Sequence, residues 1–152
     1  MENPNQKPNQ QLTVQDNQKL SQILEASKKN EHQFFKSISE QERISNLSDA
    51  LQGVGMGTIF TNHALLSGYK GKIPELNKQD IGVMVRTRFR TLSLEELAYA
   101  FQIDRHGYHG EPTRHYQLFN AEYVSTIINK YLEWKEKMKR IPSRNIPISE
   151  LK

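Results

Sequence analysis

Only one stretch of this chain, Ile81–Leu92, alternates apolar and polar residues as a half-buried strand does, and no second such run exists for it to pair with. Ile81, Val83, Val85 and Phe89 fit the alternation, but Ile81, Met84, Val85, Phe89 and Leu92 also lie on one helical face, and periodicity alone does not separate the two. An isolated strand leaves its backbone N–H and C=O groups unpaired, so a helix is expected there. Elsewhere the apolar residues recur at helical spacing. The expected fold is therefore all-α, a small bundle of about five helices with a Gly/His/Tyr-rich loop and disordered termini.

The helices announce themselves by stripes and caps. Leu20, Ile23 and Leu24 mark a short amphipathic helix within Gln15–Lys29. Phe34, Phe35 and Ile38 form an apolar patch. Ser39-Glu-Gln-Glu42 has the spacing of a capping box, in which serine oxygen and glutamate carboxylate satisfy two orphan N–H groups. Ile44, Leu47, Leu51 and Val54 then predict one helical stripe ended by Gly53, Gly55 and Gly57, read as a flexible C-cap. A shorter apolar group, Ile59–Leu66, stops at Gly68. Asn77 or Asp80 is the expected cap of the next helix. Ser93-Leu-Glu-Glu96 is a second capping box, backed by Leu94, Leu97, Ala98 and Phe101.

Gly107, Gly110 and Pro112 exclude a regular helix from the loop Asp104–Phe119, which Tyr116 and Phe119 are expected to anchor and in which His109 is expected to be exposed. Asn120 is the expected cap of a last helix whose Val124, Ile127, Ile128, Tyr131, Trp134 and Met138 share a broad face. Glu133–Lys137 and Glu136–Arg140 are expected i,i+4 pairs, and Pro142 ends the helix.

A hydrophobic fraction of 36% and a mean hydropathy of -0.75 imply that part of the chain stays outside the core. Residues 1–18, dominated by Asn and Gln with Pro4 and Pro8, are the expected disordered tail. Residues 19–140 are read as a single helical domain and 141–152 as an extended C-terminal tail. No apolar run is long enough for a bilayer and no signal-peptide plan is present, so no membrane association is expected. With no cysteine, disulfide and thiolate chemistry are excluded, and a cytoplasmic location is the expectation.

The net charge of +4 is uneven. Residues 1–80 carry 9 Lys/Arg and 9 Asp/Glu, whereas residues 81–152 carry 12 and 8, so the excess lies in the second part. Such a balance suits either a polyanionic partner or a solvated surface. Arg86 and Arg90 share a helical face, with Arg88 expected toward the core beside Phe89. Arg86, Arg90, Arg105 and Arg114, with Tyr108 and Tyr116, form the expected basic, aromatic-interleaved surface, because guanidinium groups bind phosphate bidentately and rings stack on bases.

Catalytic constellations are missing. His106, His109 and His115, with Asp104 and Glu111, lack metal-site spacing and read as solvated loop residues, so no metal is expected. Gly53-Val-Gly-Met-Gly57 follows a helix rather than a strand, and Gly68-Tyr-Lys-Gly-Lys72 lacks the P-loop spacing. Ser67 and His63 are i,i+4 neighbours without an oxyanion element. Neither catalytic residues nor a cofactor is expected.

Leu92-Ser-Leu-Glu-Glu-Leu-Ala-Tyr-Ala-Phe-Gln-Ile-Asp104 resembles the opening of a helix-turn-helix DNA-binding unit, with Ala98 as the small residue that permits close helix crossing. Arg105-His-Gly-Tyr-His-Gly110 stands where that family places its recognition helix and cannot form one. Over Asp80–Tyr131 the chain also resembles uncharacterised small proteins of phages and conjugative elements of the Bacteroides group. The shared features are a helix ending in basic residues, the Leu-Ser-Leu-Glu-Glu-Leu-x-x-Ala-Phe segment, the Gly/His/Tyr loop and Phe119–Tyr131. Some of those relatives look like helicase-loader or replication accessory proteins. The resemblance implies a non-enzymatic adaptor of a mobile element, acting near DNA, with DNA and a replication factor as partners. The alternative is a protein-interaction module, a host-factor inhibitor or self-associating adaptor, without nucleic-acid contact. Its sequence support is Tyr123, Tyr131 and Trp134, which are not expected all to face one core.

Overall fold

The computed structural model describes residues 11–141. Among them are six α-helices: α1 (Val14–Ala26), α2 (Glu31–Ser37), α3 (Asp49–Leu66), α4 (Glu75–Arg88), α5 (Leu94–Arg105) and α6 (Ala121–Lys139), and no strand. The all-helical expectation holds, and Ile81–Arg88 is helical. α1 begins at Val14, so the end of the expected tail is helix, closed by a Thr13/Asp16 capping box. Residues 1–10 and 142–152, which hold most of the two expected tails, lie outside the described residues.

Helices α3 to α6 run alternately up and down. Gly55 meets Leu94 and His63 meets Phe101, so α3 and α5 are parallel. Glu96 meets Tyr131 and Lys135, whereas Arg105 and Tyr123 converge on His63, so α6 is antiparallel to α5. One end of this bundle carries the N-termini of α3 and α5 and the C-termini of α4 and α6. The other carries the loop 106–120. α1 packs across α3 and α5, and α2 brings Phe34 and Phe35 to Trp134 of α6.

Two caps read from the sequence are present. Ser93 accepts the Glu96 N–H at 2.9 Å while Glu96 accepts the Ser93 N–H at 3.1 Å. Asn120 accepts the Tyr123 N–H at 3.0 Å. Gly68 ends α3 with φ of 79°, the left-handed conformation that a Cβ disfavours.

The second quarter of the chain departs from expectation. Ser39 caps nothing: Ile38–Glu40 is one 3-10 turn, Ile44–Asn46 is another, and α3 starts only after Ser48, which accepts the Leu51 N–H. A tertiary contact decides this. Ile44 donates its N–H to the Leu92 carbonyl at 2.8 Å and Arg43 donates from Nη1 to the Thr91 carbonyl at 2.7 Å, holding Arg43 extended against Ser93 and tying the turn that follows it to residues 90–93. The glycine run does not end a helix either. α3 passes straight through Gly53, Gly55 and Gly57, and Val54 faces solvent. Gly55 is buried where α3 crosses α5, and a Cβ there would stand 2.5 Å from Leu94 Cδ1. α4 is preceded by Pro74 rather than capped by Asn77 or Asp80; Asn77 instead donates to the Phe119 carbonyl at 2.9 Å.

Tyr123, Tyr131 and Trp134 are all buried, at 5%, 0% and 6% exposure, which corrects the expected exposed cluster. α6 is covered on more than one side, so each ring finds its own neighbours and its polar tip a partner. Tyr123 reaches His63 on α3, Tyr131 donates to Glu96 on α5 at 2.6 Å, and the Trp134 indole N–H donates to Glu31 on α2. Tyr99, stacked on Phe34 at 3.9 Å, completes this aromatic core. Lys135 joins Glu96 at 2.8 Å, so the buried carboxylate is both paired and hydrogen-bonded. Among the described residues Glu136 pairs with Lys139, not with Arg140, and Glu133–Lys137 does not close.

Candidate nucleic-acid interface

The structure divides the expected basic surface in two. Arg86 and Arg90 lie at the bundle end formed by the C-terminus of α4; Arg105, Tyr108 and Arg114 lie at the opposite end, beyond the C-terminus of α5. The 12 residues of α5 separate the two groups by about 18 Å at 1.5 Å per residue. No recognition helix follows α5, since residues 106–120 form turns and coil.

At the first end Arg86 donates from Nε to Gln52 Oε1 at 3.1 Å. Gln52 is itself buried and held by bonds from Nε2 to the Ile44 and Leu47 carbonyls at 2.8 and 3.0 Å. The guanidinium is thus aimed by a fixed amide while the rest of the side chain stays exposed. Arg88, expected toward the core, is exposed: α4 stops at Arg88, Phe89 turns inward to 6% exposure, and the Arg88 guanidinium lies 5.1 Å from the Phe89 ring centroid. Arg90 is exposed in the connection to α5, where its carbonyl faces the Ser45 N–H. The pairing of residues 43–45 with 90–93 brings Arg43 beside it. Arg43 stands 43 positions before Arg86, and only the tertiary contact joins them. Among the described residues, no carboxylate lies within 4.0 Å of Arg43, Arg86, Arg88 or Arg90.

At the second end Arg105 donates from Nη1 to His63 Nδ1 at 2.9 Å, and His63 Nε2 lies 2.7 Å from the Tyr123 hydroxyl. A guanidinium only donates, so Nδ1 accepts and the neutral ring carries its proton on Nε2. Burial, reinforced by the Arg105 charge, holds His63 at about 3, far below the ordinary imidazole value. Burial likewise pushes Tyr123 up to about 12. The Ser67 hydroxyl donates to the Ala64 carbonyl at 3.2 Å, so no Ser–His pair exists.

The loop 106–120 is held by Asp104, which is buried and accepts the Thr113 N–H and hydroxyl at 3.0 and 2.8 Å, with Lys130 at 3.7 Å. His115 donates from Nε2 to the Ser67 carbonyl at 3.1 Å and accepts the Gln117 N–H at 2.8 Å. Tyr116 and Gln117 then sit at φ of 51° and 61°, the left-handed region. That turn throws Tyr116 out to 76% exposure and sends Phe119 into the core at 0%, so one of the two expected anchors is an anchor. His109, expected exposed, is half-buried with Nε2 enclosed and unpartnered. Arg114 is loosely paired with Glu111 at 3.6 Å, and Tyr108 is 48% exposed. Among the described residues no three His, Asp or Glu side chains group as metal ligands, and no helix is long and apolar enough to cross a membrane.

Comparison with protein-family models, with curated proteins and with solved structures gives no match for this chain.

Proposed function

We propose that this protein is a non-enzymatic accessory factor that contacts the phosphates of a nucleic acid through Arg43, Arg86, Arg88 and Arg90. The observation that carries the reading is that these guanidiniums gather at one bundle end with no carboxylate within 4.0 Å among the described residues. An edge of four arginines that form no ion pair among the described residues, with two members fixed by Gln52 and the Thr91 carbonyl, suits a repeating anionic backbone. The edge offers phosphate contacts and no recognition helix, so binding that ignores base sequence is expected. The resemblance over Asp80–Tyr131 would set this activity in the replication or maintenance of a mobile element.

Fluorescence anisotropy with single- and double-stranded DNA tests the proposal. Binding to the duplex should weaken steeply from 50 to 200 mM salt, and Arg88→Gln and Arg90→Gln should each lower the slope of log K against log salt by about 0.9. Arg105→Gln, at the other end, should leave the slope unchanged. No binding of either DNA form at about 50 mM salt would end the proposal.

One observation favours the second reading, a self-associating module. Leu65, Leu66, Leu76 and Leu118 are 73%, 67%, 78% and 62% exposed, and all belong to the end that carries the loop 106–120. Sedimentation of the protein against its Leu65→Ser/Leu66→Ser variant decides it: a dimer that the double substitution dissociates supports this reading.

A further inference from the structure

Independently of the arginine edge, we infer that the cleft between the C-termini of α3 and α5 and the loop 106–120 is a binding site for a phosphate monoester, with Arg105, Arg114 and the Tyr123 hydroxyl as its donors. The cleft has a volume of about 600 Å³ and is lined by these residues together with His63, Asp104, Glu111 and Tyr116. That size suits a small molecule.

The polarity of the hydrogen bonds identifies the ligand's charge. Arg105 gives one N–H to His63 Nδ1, which makes His63 a donor from Nε2 to Tyr123. Having accepted that proton, the Tyr123 hydroxyl directs its own hydrogen elsewhere. The Ser67 hydroxyl beside it donates to the Ala64 carbonyl and keeps a lone pair for the Tyr123 hydrogen, a neutral contact that an entering anion replaces. The remaining N–H groups of Arg105 are unused, and no carboxylate lies within 4.0 Å of it among the described residues. A half-buried guanidinium hydrogen-bonded only to a neutral imidazole is compensated only at a distance, by the Asp104 carboxylate.

The acids that line the cleft leave its donors open to an anion. Asp104 is committed to Thr113 and Lys130. Glu111 is held only loosely, at 3.6 Å from Arg114 with both side chains largely exposed, a contact an entering anion displaces easily. Two guanidiniums and a hydroxyl therefore offer donors with one weakly held acid among them. Donors from three separate chain segments match the several terminal oxygens of a tetrahedral phosphate better than the two coplanar oxygens of a carboxylate. The Tyr116 ring at the rim, 76% exposed and held out by two consecutive left-handed residues, offers a stacking face for an aromatic ester group.

Titration of the full chain with phenyl phosphate, inorganic phosphate and benzoate, followed by calorimetry and by amide chemical shifts, tests the inference. Saturable binding is expected for phenyl phosphate, weaker for inorganic phosphate and weakest for benzoate. Arg105→Gln and Arg114→Gln should each weaken phenyl phosphate by about tenfold or more, the loss of a charge-assisted bond. Tyr123→Phe should weaken it about threefold to tenfold, the loss of a neutral one. Thermal melts establish that each variant is folded, and the exposed Arg114 secures one variant that leaves the core intact. Lys139→Gln, at the far end of α6 and outside the arginine edge, should have no effect. Absence of saturation, binding that survives both Arg105→Gln and Arg114→Gln, equal loss on Lys139→Gln, or benzoate binding as tightly as phenyl phosphate each overturns the assignment.

Discussion

Replacing the three glycines of α3 by alanine should give stability changes of opposite sign, although all three lie within five residues of one helix. In a helix interior alanine is better than glycine by about 0.8–1.0 kcal/mol, because glycine loses more backbone freedom on folding. At Gly53 and Gly57 a new Cβ meets nothing within 4 Å, so each substitution should stabilise by about that amount. The double variant should gain about 1.6–2 kcal/mol, or about 4–8 °C in Tm for a domain of this size. At Gly55 the same Cβ would stand 2.5 Å from Leu94 Cδ1, and Leu94 is 0% exposed. Leu94 must retreat by about 1 Å to reach normal contact distance. Overpacking of a closed core costs about 1–3 kcal/mol, so after the helix gain Gly55→Ala should destabilise by about 1 kcal/mol. Urea unfolding followed by circular dichroism reads all three. If Gly53→Ala and Gly57→Ala both destabilised the protein, α3 would not run through the glycines and the reasoning would fail.

Phe119→Ala should cost about 3–5 kcal/mol and Tyr116→Ala less than about 0.5 kcal/mol in the same urea assay, since one ring is fully buried among Phe60, Tyr69 and Tyr123 and the other faces solvent; equal losses would mean that the left-handed turn does not exchange the two rings. His63 is held neutral down to about 3 in the folded chain against 6.5 as its ordinary value, so between those limits the unfolded state binds the extra proton and stability falls as pH is lowered. Above pH 6.5 the contribution is complete; from pH 7.5 to 5 its loss should be about 2 kcal/mol, and His63→Gln should remove that part of the slope.

Features closed within a few residues were legible from the chain. The Ser93/Glu96 box, the Asn120 cap, the Gly68 stop and the α6 stripe each satisfy backbone groups or bury a face through neighbours three or four positions away, so local spacing determines them. The want of a second alternating run settled helix against strand for Ile81–Arg88 for the same reason, as a matter of where backbone bonds can go. Phe89–Leu92, by contrast, leaves the helix and bonds to residues 44 and 45. What escaped the sequence depends on how helices are rotated and set against each other. The Ser39 signal is a sound cap by spacing, yet the pairing of Arg43–Ser45 with Arg90–Ser93 delays the helix to Asp49. Three glycines in five residues read as a stop because propensity is local, whereas the Gly55 contact with Leu94 crosses 39 positions. Tyr131 and Trp134 look too many for one core until α2 arrives to cover α5 and α6 together. The candidate sites divide in the same way. The arginines of 86–90 were visible as a charge run, but Arg43 joins them only through the tertiary pairing. His63, Arg105 and Tyr123 are 42 and 60 positions apart in their hydrogen bonds, and nothing in their spacing announces that a buried imidazole will turn one guanidinium and one hydroxyl toward the same cleft.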